Sequence, residues 1–212
     1  MIHIIDDFYP NPDEVREQAL EMFYYPGVRG DRVFFPGDRT LSTYSHENRI
    51  FIKNRFEATI GKRIIYFPTK NSNTAFTIGL YKGVKEFLNW IHHDCSGYLE
   101  KTTNNINGQA WASVCFLQPE ADVNTGTALY RSKKTNKIYK TKEMSIDRKA
   151  TFKGNWLDKP HKDWEIHTYV GNIYNRCVIY PATYWHAPIN ASFGETKEDA
   201  RLVQVCFFTT EK

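Results

Sequence analysis

The sequence predicts a mainly β domain, an antiparallel jelly roll with two helices packed outside it near the N-terminus, and three observations carry that reading. Short segments rich in Val, Ile, Phe and Tyr recur after Ile64, the pattern of strands. Helical periodicity is confined to the chain before Gly61. No helical pattern separates the later segments, so they build a sandwich or barrel and not a parallel sheet wound with helices. At 212 residues, with 41% hydrophobic and 15% aromatic side chains, the chain suits one packed domain. It divides into a helical flank, 1–62, and a jelly-roll core, 63–212, with a lysine-rich insertion near 132–160.

Residues 2–5 form a short apolar strand candidate. Asn11-Pro12-Asp13-Glu14 then has the form of a helix start: a capping side chain, Pro at the first helical position and acids at the positive end of the dipole. Val15, Ala19, Met22 and Phe23 follow at helical spacing, and Tyr25-Pro26-Gly27 and Phe35-Pro36-Gly37 mark turns. A second helix is predicted from about Glu47 to Ile60, with Ile52, Phe56 and Ile60 on one face and Gly61 as its stop. Strands are predicted at 64–67, 75–81, 111–117, 166–170, 176–180 and 201–209. No Gly-x-Gly-x-x-Gly or phosphate-loop motif occurs.

A net charge of +4 does not describe a dedicated nucleic-acid binder. The start of the chain has no signal-peptide pattern, and no apolar run approaches the ~20 residues of a membrane span. Cys95, Cys115, Cys177 and Cys206 are scattered, with no Cys-x-x-Cys, and three of them sit in strand-like runs. These features predict a soluble, reduced, cytoplasmic protein with no membrane partner. The positive excess is local: between Arg131 and Lys153 stand Lys133, Lys134, Lys137, Lys140, Lys142, Arg148 and Lys149. The plain reading is a solvated surface insertion; the sharper one is a docking surface for an acidic partner or a nucleic-acid backbone.

The chemistry gathers elsewhere. His92-x-Asp94 closes the apolar run Phe87-Leu88-Asn89-Trp90-Ile91. Residues two apart on a strand share a face, so both side chains can reach one ion. The spacing alone is weak, because His161-Lys162-Asp163 repeats it. That second pair follows the lysine-rich segment and Asp158-Lys159-Pro160, a loop context, and stands close before His186 in the chain. His92 precedes His186 by enough chain for the intervening strands of a closed jelly roll, which favours the first pair. His186 follows an apolar strand and the turn Pro181-Ala182-Thr183, and precedes Pro188. Two His and one carboxylate form the facial triad of non-haem Fe(II) sites, with positions left open. Arg201 heads a run in which alternation sets it with Val203, Val205 and Phe207. A guanidinium there is costly unless paired, and a bound cosubstrate's carboxylate pairs it through a planar fork. The same Arg also reads as the exposed start of a strand.

The order Leu80-Tyr81-Lys82-Gly83, His92-x-Asp94, Gly126-Thr127-Ala128-Leu129-Tyr130-Arg131, Asn175 to Tyr180, His186, Phe193-Gly194 and Arg201-Leu202 resembles the Fe(II)/2-oxoglutarate-dependent dioxygenase superfamily. Within it the chain is most similar to a bacterial and phage branch related in motif order to prolyl hydroxylases, and the opening Ile5 to Val15 looks like that branch too. The resemblance implies a double-stranded β-helix, cupin-like, with Fe(II) held by His92, Asp94 and His186 and 2-oxoglutarate held by Arg201, with Tyr81 lining the same pocket. It implies an oxidoreductase, a hydroxylase by default, that couples decarboxylation of 2-oxoglutarate by dioxygen to oxidation of a C–H bond. Thr125-Gly126-Thr127 stands where many relatives have Gly-Gly-Thr, and Val203 where some carry Ser or Thr.

Two other readings compete: a cupin-type metalloenzyme without 2-oxoglutarate, which has no need of Arg201, and a catalytically silent jelly-roll binding module. The substrate stays open among a small molecule, a protein side chain and a nucleic acid. Trp90 and Trp185 read equally as stacking platforms and as core.

Overall fold

The computed structural model describes residues 1–26, 28–29, 32–33, 37–41, 45–68, 73–79, 91–94, 108–141, 161–190 and 193–212. Tyr81, Trp90, Cys95 and the 142–160 stretch of the lysine-rich segment lie outside the described residues.

The chain runs β1 (His3–Ile5), α1 (Pro12–Glu21), a small hairpin β2 (Val28–Arg29) and β3 (Arg32–Val33), β4 (Asp38–Arg39) and α2 (His46–Ile60). Then come β5 (Ile64–Tyr66), β6 (Ala75–Gly79), β7 (Gln109–Phe116), β8 (Thr127–Ser132), β9 (Trp164–Val170), β10 (Cys177–Pro181), β11 (His186–Pro188) and β12 (Arg201–Thr210). α2 is made as its ends require. The Ser45 side chain accepts from the Asn48 N–H, and Gly61 leaves the helix at φ 71°, a left-handed turn that glycine adopts without cost.

Two antiparallel sheets face each other as a jelly roll. The larger is ordered β1-β10-β7-β12-β6-β4, with β5 also paired to β12; the smaller is ordered β11-β8-β9. The large sheet is covered on both faces, which explains the nearly unbroken burial of β12. One face meets the helices, where Ala19, Ile52 and Phe56 pack with Leu202, Cys206 and Phe208. The other packs against the small sheet, where Leu129 and Val170 meet Val114, Val178 and Val203. Alternation along β12 therefore sends Arg201, Val203 and Val205 between the sheets. Cys115, Cys177 and Cys206 are buried free thiols. No helix among the described residues is long and apolar enough to cross a membrane.

Several expectations are corrected in detail. Asn11 makes no side-chain cap, so Pro12 and the first-turn acids Asp13 and Glu14 mark the start of α1. The helix stops at Glu21, and Phe23 is 72% exposed, edge-on to Tyr25. Pairing of Tyr25 with Arg39 draws the chain into an extended bridge there and overrides the helical spacing. Trp185 is core, 1% exposed and packed on Trp164 and His93. Arg131 and Ser132 belong to β8 and not to an insertion. The chain after them is tied down as well: Trp185 donates to the Ile138 carbonyl and Lys140 to that of Thr183, so 138–140 strap the residues just before His186.

Candidate metal centre

His186 opens β11, and its backbone N–H and C=O exchange hydrogen bonds of 2.8 and 2.9 Å with those of His92. A closely paired antiparallel bridge of this kind puts both imidazoles on one side, and their ring centroids are 4.2 Å apart. Two residues on, the Asp94 N–H donates to the Ala182 carbonyl, which brings its carboxylate onto the same side. The Asp94 carboxylate lies 3.8 Å from His92 Nε2 and 3.2 Å from His186 Nε2. The three ligand atoms all lie within 4.8 Å of one another.

A backbone hydrogen bond sets the His186 tautomer. His186 Nδ1 lies 3.0 Å from the Tyr184 carbonyl, which can only accept, so that nitrogen carries the proton and Nε2 is left as a donor of electrons. Burial pushes the Asp94 carboxyl up, but His186, His92 and Arg39 outweigh it and hold it at about 2. Burial alone would lower His186; its Asp94 partner and the Tyr184 carbonyl instead raise it. The alternative pair stands apart. His161 and Asp163 precede β9, the Asp163 N–H donates to His161 Nδ1 at 3.0 Å, and neither joins a three-residue donor cluster among the described residues.

The triad opens into a cleft between the sheets. Arg201 lines it and is only 5% exposed, so the exposed-strand-start reading fails. Its Nε donates to the Thr125 carbonyl at 3.4 Å, and its guanidinium lies 5.9 Å from the Phe116 ring centroid. No carboxylate among the described residues pairs with it. Burial pushes it down to about 10, against the pull of Tyr180 and Tyr169.

Sequence reasoning missed two other residues of this cleft. Tyr180, on β10, has its ring 4.8 Å from that of His186. Burial raises its hydroxyl well above the ordinary tyrosine value; Asp94 adds to this and Arg201 opposes it, so the phenol lies within reach of both charges. Alternation with Val178 in an apolar strand was the available signal. Arg39 also lines the cleft, with Nε 2.9 Å from Thr77 Oγ1. A two-residue strand has no periodicity, so nothing marked it.

A family model described as "Family of unknown function (DUF6445)" matches residues 1–208. The chain belongs to that family. No curated protein matches this DUF6445 chain. Among solved structures it is similar to the non-haem α-ketoglutarate-dependent epimerase SnoN from nogalamycin biosynthesis. That match has a TM-score of 0.58 at 14% identity and covers 98% of this chain and 78% of the other. It is also similar to a prolyl hydroxylase from Trichoplax adhaerens, solved with a hypoxia-inducible-factor peptide fragment. There the TM-score is 0.54 at 11% identity, over 99% of this chain and 83% of the other. At these identities the likeness establishes the jelly-roll fold.

Proposed function

We propose that this chain is an Fe(II)- and 2-oxoglutarate-dependent oxygenase, a hydroxylase by default, in which His92, Asp94 and His186 hold the iron and Arg201 holds the far carboxylate of the cosubstrate. The observation that carries the reading is the desolvated Arg201 in the same cleft as a clustered His–Asp–His set. A buried cation is stable when an anion meets it, and a dicarboxylate reaching from the triad to Arg201 would supply one. The donor set fits a ferrous ion: two imidazoles and one carboxylate, with coordination positions left over. When bound, iron and 2-oxoglutarate supply the oxidising power, through decarboxylation of the keto acid by dioxygen, for attack on a substrate C–H bond.

The protein's own groups do the positioning. The Tyr184 carbonyl fixes the His186 tautomer, and the His92–His186 bridge fixes both rings on β11 and its neighbour. His186, His92 and Arg39 favour the anionic form of Asp94 against the effect of burial. The Thr125 carbonyl orients Arg201, and Tyr180 lines the same cleft with its ring 4.8 Å from that of His186. Val203, Val205 and Phe207 keep the floor of the cleft apolar, which strengthens the charged contacts above them.

Elemental analysis of anaerobically loaded protein tests the ligand set. Wild type should hold one iron per chain. His92→Ala, Asp94→Ala and His186→Ala should each lose most of it, as a three-ligand site without one donor loses its geometry. His161→Ala and Asp163→Ala should keep it. Loading that survives His92→Ala and fails in His161→Ala would overturn the assignment.

A further inference from the structure

The cleft has two ends, and the small sheet shows which one is left for the substrate. Along β8, Thr127 pairs with Pro188 and Leu129 with His186. Arg201 lies at the start of β8, where its Nε donates to the Thr125 carbonyl. A cosubstrate reaching from the triad to Arg201 runs toward that start, so the substrate meets the iron from the other end. β11 runs antiparallel to β8, so Tyr184, two residues before His186, stands at that other end. Tyr184 packs with the inner cluster to which Leu129 belongs. Residues two apart on extended chain share a face, so Tyr184 and His186 turn between the sheets together.

The strap brings a second tyrosine to the same place. Tyr139 is bridged to Tyr184, flanked by the bonds from Trp185 to Ile138 and from Lys140 to Thr183. Directly paired residues share a face. Tyr139 therefore turns to the side of His186, roughly 7 Å along the strand and about 5 Å across from it. Its side chain is 41% exposed, and the Lys137 ammonium lies 6.0 Å from its ring centroid. No acid among the described residues pairs with Lys137. Arg131, which alternation sets with Leu129, is by contrast answered by Glu165 at 3.2 Å and held on His167 Nδ1 at 2.9 Å. The substrate end thus offers an open aromatic face beside an unanswered ammonium.

Resting on the oxygenase reading, we propose that Tyr139 and Lys137 form the substrate subsite. The substrate is then a planar ring joined to an oxyanion, as in a nucleoside phosphate or an aromatic carboxylic acid. Its ring stacks on Tyr139, its anion meets Lys137, and the C–H bond to be oxidised lies on the triad side of the ring. Stacking accepts any planar π face, and an ammonium selects charge without demanding the fork geometry of a guanidinium.

The test uses manganese-loaded protein with saturating 2-oxoglutarate, which fills the Arg201 end. Proton NMR titrations then follow four probes, each broadened when it is held close to manganese: adenosine monophosphate, naphthoate, adenosine and ribose phosphate. Wild type should bind one of the two ring-bearing anions roughly 5-fold to 150-fold more tightly than ribose phosphate, the range of stacking on an aromatic side chain. It should also bind that anion more tightly than the uncharged adenosine, and which anion responds separates phosphate from carboxylate. Tyr139→Leu should lose the preference for the ring, and Tyr139→Phe should keep it. Lys137→Gln should lose the preference for charge, and Lys137→Arg should keep it; Lys137 is exposed, so this pair serves if Tyr139→Leu folds poorly. Four probes that bind alike or not at all, with manganese and 2-oxoglutarate bound, overturn this inference alone. Preferences unchanged in Tyr139→Leu and Lys137→Gln do the same. A probe that displaces 2-oxoglutarate overturns it too, because it would then sit at Arg201. Wild type that binds neither manganese nor 2-oxoglutarate overturns the oxygenase reading and this inference with it.

Discussion

Tyr180, one residue before the end of β10, lines the cleft with Asp94 and Arg201, its ring 4.8 Å from that of His186. A phenol in that position gains a partner when an anion bridges the two ends of the cleft. Hydrogen bonds to charged groups contribute about 1.5–3 kcal/mol, so Tyr180→Phe should weaken 2-oxoglutarate binding roughly 10- to 150-fold. Iron content should not change, and anaerobic titration of iron-loaded protein checks both; equal affinity would remove Tyr180 from the site. Three of the four site residues legible in the sequence share one property. His92 with Asp94, and Arg201 with Val203, lie on extended chain where a period of two reports which side chains face together. His186 was legible only as their complement. Arg39 sits in a two-residue strand, where pattern has no length to show itself. Tyr81, expected beside Arg201, falls outside the described residues.

Elements settle where those side chains point. The turn Val123–Thr125 and Gly126 place the carbonyl that orients Arg201, and they lie hard against β9: a Cβ on Gly126 would come within 2.0 Å of the Val170 carbonyl oxygen. Gly126→Ala should therefore destabilise by about 1–3 kcal/mol, the usual cost of overpacking, and should weaken 2-oxoglutarate binding as Thr125 shifts. Denaturant midpoints and the same titration report the two effects. At the other side of the fold, Arg176 grips Asp6 through two bonds, of 2.6 and 2.9 Å, and pins the chain after β1 beside β10. Those hydrogen bonds lower the Asp6 pKa more than burial raises it. A lowered carboxylate pKa stabilises above its unfolded value, near 3.9, and the contribution fades as pH falls through the folded one. The Asp6 side chain is 56% exposed, so Asp6→Asn should cost only about 0.2–1 kcal/mol at pH 7. The gap from wild type should close below about pH 4; a constant gap from pH 7 to pH 3 would contradict the pairing. Elements were less legible than residues. β8 passed as a motif because Ala128 and Tyr130 face a second buried cluster, which removes the alternation of polar and apolar positions. β11 is three residues ending in Pro188 and too short to show a pattern.

At the scale of the whole molecule, the arrangement divides labour between the faces of one sheet. Helices α1 and α2 cover the outer face with apolar side chains, and the small sheet stands off the inner face far enough to leave the cleft. The jelly roll was foreseeable because helical periodicity ends at Gly61 and strand-like segments follow without interruption. The order of those strands was not, since pairing between distant segments such as β1 and β10 leaves no local trace. Closure of that order is what brings His92 and His186 together from far apart in the chain. The central claim is that the closed cleft binds iron and 2-oxoglutarate as one unit. Visible absorption of anaerobic, iron-loaded protein on addition of 2-oxoglutarate tests it most directly. Wild type should develop the weak metal-to-ligand charge-transfer band of a chelated keto acid. Arg201→Ala should need roughly 30-fold to several thousand-fold more 2-oxoglutarate to do so, as expected when a buried charge pair worth about 2–5 kcal/mol loses one member. Arg201→Lys should recover only part, since it keeps the charge without the fork. The absence of any band in wild type that holds its iron would contradict the account.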